Sequence, residues 1–122
     1  MKNLTKGQLE ARISEAIIAF ERDHMGRGPE EVKTHIIGDM ILVRLKGVLT
    51  SAEKQLAKSE RGTELIKKVR ANLIENSRSL LEQIISELTM TKLISLHTDI
   101  STVTGERVIL FTVAENLQKE LK

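Results

Sequence analysis

Three histidines, His24, His35 and His97, are the side chains best suited to change charge near neutral pH or to offer a ring nitrogen to a metal. None stands in a metal-ligand spacing. His35 and His97 with Asp99 would supply two nitrogens and a carboxylate for zinc or iron, provided two distant stretches of chain lie side by side. A carboxylate two residues from a histidine is common on solvated strands, so three ordinary exposed residues are the plainer expectation. No metal ligand or catalytic residue is assigned, and no cofactor is implied. Serines and threonines are plentiful, but no Gly-x-Ser-x-Gly elbow or triad context accompanies them. The pair Glu30-Glu31 fits solvation or a helix start better than acid–base work. In Gly26-Arg27-Gly28-Pro29, glycine backbone and arginine have the chemistry to grip an anion, but a helix precedes and a strand follows, the reverse of a phosphate-binding loop. Helix termination explains it better.

Basic side chains form two groups. Lys54, Lys58, Arg61, Lys67, Lys68 and Arg70 fall in one helical region, and Lys33, Arg44 and Lys46 share one face of a hairpin. Either group would attract a phosphate backbone. The net charge is only +2, however, and Phe20 and Phe111, the two aromatics, are both expected in the core, which leaves no platform for stacking bases. Nucleic-acid binding is therefore the alternative and not the leading reading.

The elements that must position these groups follow from the apolar spacing. Thr5-Lys6-Gly7-Gln8 fits a capping box, and Leu9, Ile13, Ala16, Ile17 and Phe20 then form one stripe of a helix over Lys6 to Met25. Beyond Pro29 the period becomes two. A turn at Gly38-Asp39 pairs Ile37 with Met40 and Ile36 with Ile41, placing Val32, Thr34, Ile36, Ile41, Val43 and Leu45 on a core face. Lys33, His35, Ile37, Met40, Leu42, Arg44 and Lys46 take the other face. Thr50-Ser51-Ala52-Glu53 starts a short helix that breaks near Ser59 to Gly62, and a longer helix follows. Its apolar surface is wide: Leu65, Val69, Leu73, Leu80, Ile84 and Leu88 make one stripe, and Ile66, Ile74, Leu81 and Ile85 a second. Unbroken from Thr63 to Thr89, it would run about 40 Å, against about 20–24 Å for the strands. The excess favours a homodimer along this helix over a kink at Asn76 to Ser79. A second hairpin, Leu93 to Ser101 and Glu106 to Val113, pairs Val103 with Glu106, and Ala114 to Lys122 forms a short end that frays.

The expected fold is α+β: helix, hairpin, helices, hairpin, with a four-stranded antiparallel sheet covered on one face by helices, in one domain over 1–122. Cysteine is absent, which removes disulfides, thiolate chemistry and cysteine-held metals. No apolar run approaches the roughly 18 residues of a membrane span, and Met1 to Lys6 lacks a leader's apolar stretch. The expectation is a soluble cytoplasmic protein.

Gly26-Arg27-Gly28-Pro29, the run Gly38-Asp39-Met40-Ile41-Leu42-Val43-Arg44-Leu45-Lys46-Gly47-Val48-Leu49-Thr50 with Glu53, and Asp99-Ile100-Ser101-Thr102 followed by Gly105-Glu106 resemble one family, the MpsC-like proteins. The resemblance runs from Gly7-Gln8-Leu9-Glu10 to Phe111-Thr112. It implies a small accessory protein of a sodium-translocating, membrane-potential-generating system, linked to inorganic-carbon or cation transport. It supplies no catalytic residues. Without a span, such a role means contact with membrane components, peripheral to the membrane. The surface expected to serve it comprises Arg27, Lys33, His35, Arg44, Lys46, His97 and Asp99.

Overall fold

A computed structural model describes residues 3–122; Met1 and Lys2, part of the start read above as leaderless, lie outside the described residues. The elements run α1 (Lys6–His24), β1 (Glu31–Ile37), β2 (Met40–Lys46), α2 (Ser51–Leu56), α3 (Glu60–Asn76), α4 (Arg78–Thr89), β3 (Leu93–Ile100), β4 (Arg107–Val113) and α5 (Leu117–Glu120). The four strands form one antiparallel sheet in the order β1-β2-β4-β3. The fold is α+β.

Both capping boxes form. Thr5 accepts from the Gln8 amide at 3.1 Å while Gln8 Oε1 accepts from the Thr5 amide at 2.9 Å, which fixes the entry of α1. Leu9, Ile13, Ile17 and Phe20 then descend onto the sheet, the first three with no exposed surface, each contributing about 1.5–3 kcal/mol. Opposite them lie Ile36, Ile41, Val43, Leu45, Ile109 and Phe111. Thr34, also on this face, shares a 2.7 Å hydrogen bond with Ser14 of α1, so its hydroxyl is satisfied under the helix. Glu10 Oε2 accepts from the Ile36 amide at 2.9 Å and occupies one of the bare donors of edge strand β1.

The first hairpin has the expected register, Ile37 opposite Met40 and Ile36 opposite Ile41. The second is displaced by two residues: Ser101 and not Val103 closes on Glu106, its amide donating to the Glu106 carbonyl at 2.8 Å, and Leu96 faces Phe111. Gly105 takes φ +74° and its amide bonds to the Ser101 carbonyl, so a four-residue loop is closed where a two-residue turn was expected. An even displacement leaves the side chains from Ser95 onward on their expected faces, while a bulge between Leu93 and Ser95 turns Leu93 into the core.

The long helix is broken. Its start lies at Glu60, capped by Ser59, and at Ser77 (φ -102°, ψ 5°) one helix ends and another begins, so the 40 Å rod does not exist. Ile66, Ile74, Leu81 and Ile85 are the buried stripe, whereas Leu65 and Val69 stay about half exposed. The chain end is docked rather than frayed: Leu117 is fully buried, its amide donates to the Gly38 carbonyl, and the Lys122 amide donates to the Leu4 carbonyl.

Gly62 marks the tightest approach between helices, because a Cβ there would sit 1.8 Å from the Leu56 carbonyl oxygen. Gly62→Ala is expected to lower stability by about 1–3 kcal/mol in urea unfolding, as overpacking does. Gly7→Ala, with nothing within 4 Å of its Cβ, is expected to be neutral or to stabilise by up to about 1 kcal/mol.

Candidate functional site

Six of the seven surface residues read from the sequence lie on the sheet face turned away from the helices, at positions set by strand order. Successive rows across β1, β2, β4 and β3 read His35, Leu42, Leu110, His97 and then Lys33, Arg44, Val108, Asp99. His35 and His97 are thus on opposite edges, three strand spacings or roughly 14 Å apart. The trio of His35, His97 and Asp99 does not assemble, because the hairpins join through β2 and β4, which sends β1 and β3 outward. Among the described residues, no group of three or more His, Asp or Glu is placed to hold a metal. Arg27 lies off the sheet, in the loop after α1, 3.6 Å from Glu30.

The basic end of this face is largely ion-paired. Glu31 stands 3.8 Å from both Lys33 and Lys46, and Arg44 donates to both Glu106 oxygens at 3.2 and 3.3 Å. The Arg44 hydrogen bonds hold the Glu106 carboxyl below its ordinary range. Leu42, Val108 and Leu110 form a half-buried apolar centre between these pairs and the edges.

The MpsC-like strings converge elsewhere, at the end of the sheet beyond the exit of β2. The Glu30 amide donates to the Lys46 carbonyl at 2.8 Å, and the Val48 amide to the Gly105 carbonyl at 3.2 Å. Gly47 takes φ +68°, a conformation that favours glycine, and a Cβ there would push aside the end of the Glu30 side chain, 2.5 Å away. A cleft of about 780 Å³ opens here, its walls including Lys46, Lys54, Thr102, Thr104 and Glu106. A second, of about 550 Å³, shares the Thr102–Thr104 loop and reaches Lys67 and Asp99. Beyond Lys67 and Asp99 a small inner cavity of about 60 Å³ touches Arg70 and Arg107.

Those arginines belong to a buried ionic cluster. Arg70 and Arg107 are each 2% exposed, and Glu21 is wholly buried. Arg70 grips Glu53 with Nε and Nη2, both at 2.7 Å, and Nη2 also donates to the Val48 carbonyl at 2.9 Å. Glu53 Oε1 simultaneously accepts from the Thr50 amide at 2.9 Å. Burial pushes the Glu53 carboxyl upward, but the bonds from Arg70 and Thr50 outweigh it and hold the group below its usual range. Glu21 is the reverse case. Burial raises its carboxyl despite the nearby Arg107 and Arg70 charges; neither oxygen has a hydrogen-bond partner, and Arg70 Nη1 is 3.9 Å away. Arg107 donates from Nη1 to Thr98 Oγ1 at 2.8 Å, leaves Nε unpartnered, and burial lowers its affinity for the proton.

The sequence groups Arg70 with the basic residues of one helical region, and neither Glu21 nor Arg107 stands out by residue type. The signal lies in the helical period: Glu21 continues Leu9, Ile13 and Ile17 by four residues, and Arg70 stands between Ile66 and Ile74. Arg107 likewise leads the alternation Ile109, Phe111 and Val113. A charge on a core stripe is a charge that needs a buried partner.

Glu53→Gln is expected to cost about 3–5 kcal/mol in chemical unfolding, because it weakens the pairing of a buried arginine. The two carboxylates predict opposite pH dependences. Glu53, lowered in the folded state, contributes stability present above its unfolded pKa and lost as pH falls through its folded value. Glu21, raised in the folded state, contributes stability present below its unfolded pKa and lost as pH rises through its folded value. Relative to Glu21→Gln, the parent protein is expected to lose stability with rising pH; parallel stability–pH curves would remove that assignment.

The family model described as "Na+-translocating membrane potential-generating system (MpsC)" matches residues 5–115. Uncharacterized protein YbcI of Bacillus subtilis (strain 168) is 44% identical over 118 residues, covering 97% of this chain and 95% of its own length. Uncharacterized protein YrhF of the same strain is 25% identical over 109 residues, covering 88% of this chain and 89% of its own. No solved structure matches significantly. With a match over nearly its whole length and a 44% identical relative over almost all of it, the chain belongs to the MpsC family.

Proposed function

We propose that this protein is a non-catalytic accessory module of a Na+-translocating or inorganic-carbon or cation transport system, cytoplasmic and peripheral to the membrane, that docks a protein component of that system on its outer sheet face. The observation that carries the reading is a four-stranded face whose side chains, from Lys33 and His35 across Arg44 to His97 and Asp99, stay exposed or half-buried. Leu42, Val108 and Leu110 give it an apolar centre, and the Arg44–Glu106 and Glu31–Lys46 pairs a polar rim. This is the composition of a protein interface. The family description supports the system, and no helix among the described residues is long and apolar enough to cross a membrane. A homodimer belongs to the same reading, with α3 its contact, since Leu65 and Val69 are 50% and 48% exposed one turn apart.

Nucleic-acid binding draws less support, because Lys33, Arg44 and Lys46 each already face a carboxylate and Arg70 is buried. A metal-dependent enzyme at His35, His97 and Asp99 is not retained.

The test is co-purification of the tagged protein from gently solubilised native membranes, with partners identified by mass spectrometry. Leu42→Glu with Leu110→Lys, an opposite-charge pair directly across the two strands, is expected to abolish recovery of transport-system components while urea unfolding shows the fold retained. Recovery that is unaltered in the double variant, or that contains no such component from the parent protein, overturns the reading.

A further inference from the structure

We propose that the inner cavity between α3 and the β3–β4 hairpin is a binding site for a small oxyanion, with Arg107 and Lys67 as its principal contacts. The cavity is lined by Lys67, Arg70, Ala71, Thr98, Asp99, Ile100 and Arg107. Three of its lining residues are cationic and one, Asp99, is anionic and exposed, at the border with the outer sheet face. At about 60 Å³ it admits a group of a few heavy atoms and not a nucleotide or sugar.

The deep cations are not equally satisfied. The Nε and Nη2 atoms of Arg70 are taken by Glu53 and the Val48 carbonyl, and its Nη1, without a hydrogen-bond partner, has the Glu21 carboxylate 3.9 Å away. Arg107 has one side-chain partner, a neutral hydroxyl, and the Thr98 hydroxyl in turn spends its own proton on the Val108 carbonyl. Its Nε is buried and unpartnered, and among the described residues no carboxylate forms an ion pair with its guanidinium. A buried guanidinium with so little compensation is expensive unless a counter-ion completes it. Lys67, exposed and without an ion-pair partner among the described residues, stands between this cavity and the neighbouring cleft, where it meets an entering anion first.

Six ionisable groups bear on the site: Glu21 of α1, Glu53 of α2, Lys67 and Arg70 of α3, Asp99 of β3 and Arg107 of β4. Glu53 is committed to Arg70, so Glu21 is the internal carboxylate left to compete with an anion for Arg107. Protonating Glu21 removes that competitor. Anion binding and proton uptake at Glu21 therefore support each other, as linkage requires of two negative charges sharing one cation.

The experiment is calorimetric titration and thermal unfolding of the full chain with sodium phosphate, sodium sulfate and sodium acetate, each against sodium chloride at equal ionic strength. At least one oxyanion is expected to raise the melting temperature saturably where chloride does not. The tetrahedral and planar anions show which shape the cavity takes. Lys67→Gln, a surface change, is expected to weaken binding about tenfold, in line with loss of one charge-assisted contact. Glu21→Gln is expected to tighten binding and to flatten its dependence on pH. Equal shifts with chloride, or an affinity unchanged in both variants, overturns the site. Either result leaves docking on the outer sheet face untouched, since none of these residues except Asp99 belongs to that face.

Discussion

The carboxylate of Glu53 is the point at which the helical layer is tied to the sheet. One oxygen caps α2 through the Thr50 amide, and the two together receive a fork from Arg70, whose remaining bond reaches the Val48 carbonyl just past β2. Three pieces of chain, the exit of β2, the start of α2 and the middle of α3, are thereby fixed by one planar ion pair. An arginine can do this and a lysine cannot, because its donors leave in two directions within one rigid plane. The pair is not a free gain: desolvating two charges costs several kcal/mol each, and only complete hydrogen bonding offsets it. The carboxylate of Glu53 meets that condition with three donors, although Nη1 of Arg70 is left with Glu21 at 3.9 Å and no hydrogen bond. Glu21 and Arg107, drawn into the same interior without such partners, do not.

That contrast explains where α3 sits. Its buried stripe is Ile66, Arg70 and Ile74, so a long charged side chain occupies the place an apolar residue would take in an ordinary helix-on-sheet contact. Arg107 does the same from the core face of β4. The small cavity between the two is the space left where guanidinium groups, which must satisfy direction as well as volume, replace hydrocarbon that needs volume alone.

Much of the fold is legible from period and caps. Thr5 with Gln8 and Thr50 with Glu53 mark helix starts that form as read, and Gly38-Asp39 sets a hairpin register that local turn chemistry determines. The second register was missed because Ser101 to Gly105 carries glycine only at its end, and it is Gly105 in the left-handed region that lets a longer loop close. The break at Ser77 was one of two open readings. A helix continues or stops there according to what its flanks bury, and Ser77 has no side-chain cap bond to announce the break. The ionic cluster was present in the pattern as charges on core stripes. Its partners could not be named, since which stripe faces the sheet depends on how α3 and α4 divide the apolar surface between them.

Strand order decides the outer face in a way that pairwise hairpin reasoning cannot. With the two hairpins joined through β2 and β4, the side chains of the edge strands, His35 and His97, are pushed to opposite borders, and the middle of the face falls to Leu42, Leu110, Arg44 and Val108. An order with β1 beside β3 would have put the two histidine-bearing strands side by side and the strands of Leu42 and Leu110 at the rim. The chosen order makes the centre largely apolar and sets most of the charge near one end, where Arg44 pairs with Glu106 and Lys33 and Lys46 share Glu31. An open face with an apolar middle suits burial against another protein surface, whereas a solvated phosphate backbone is recognised by cations free of local partners. The sheet face and the inner cavity thus make different demands on a ligand: the first offers area with little net charge, the second a concentrated cation in a space of a few atoms.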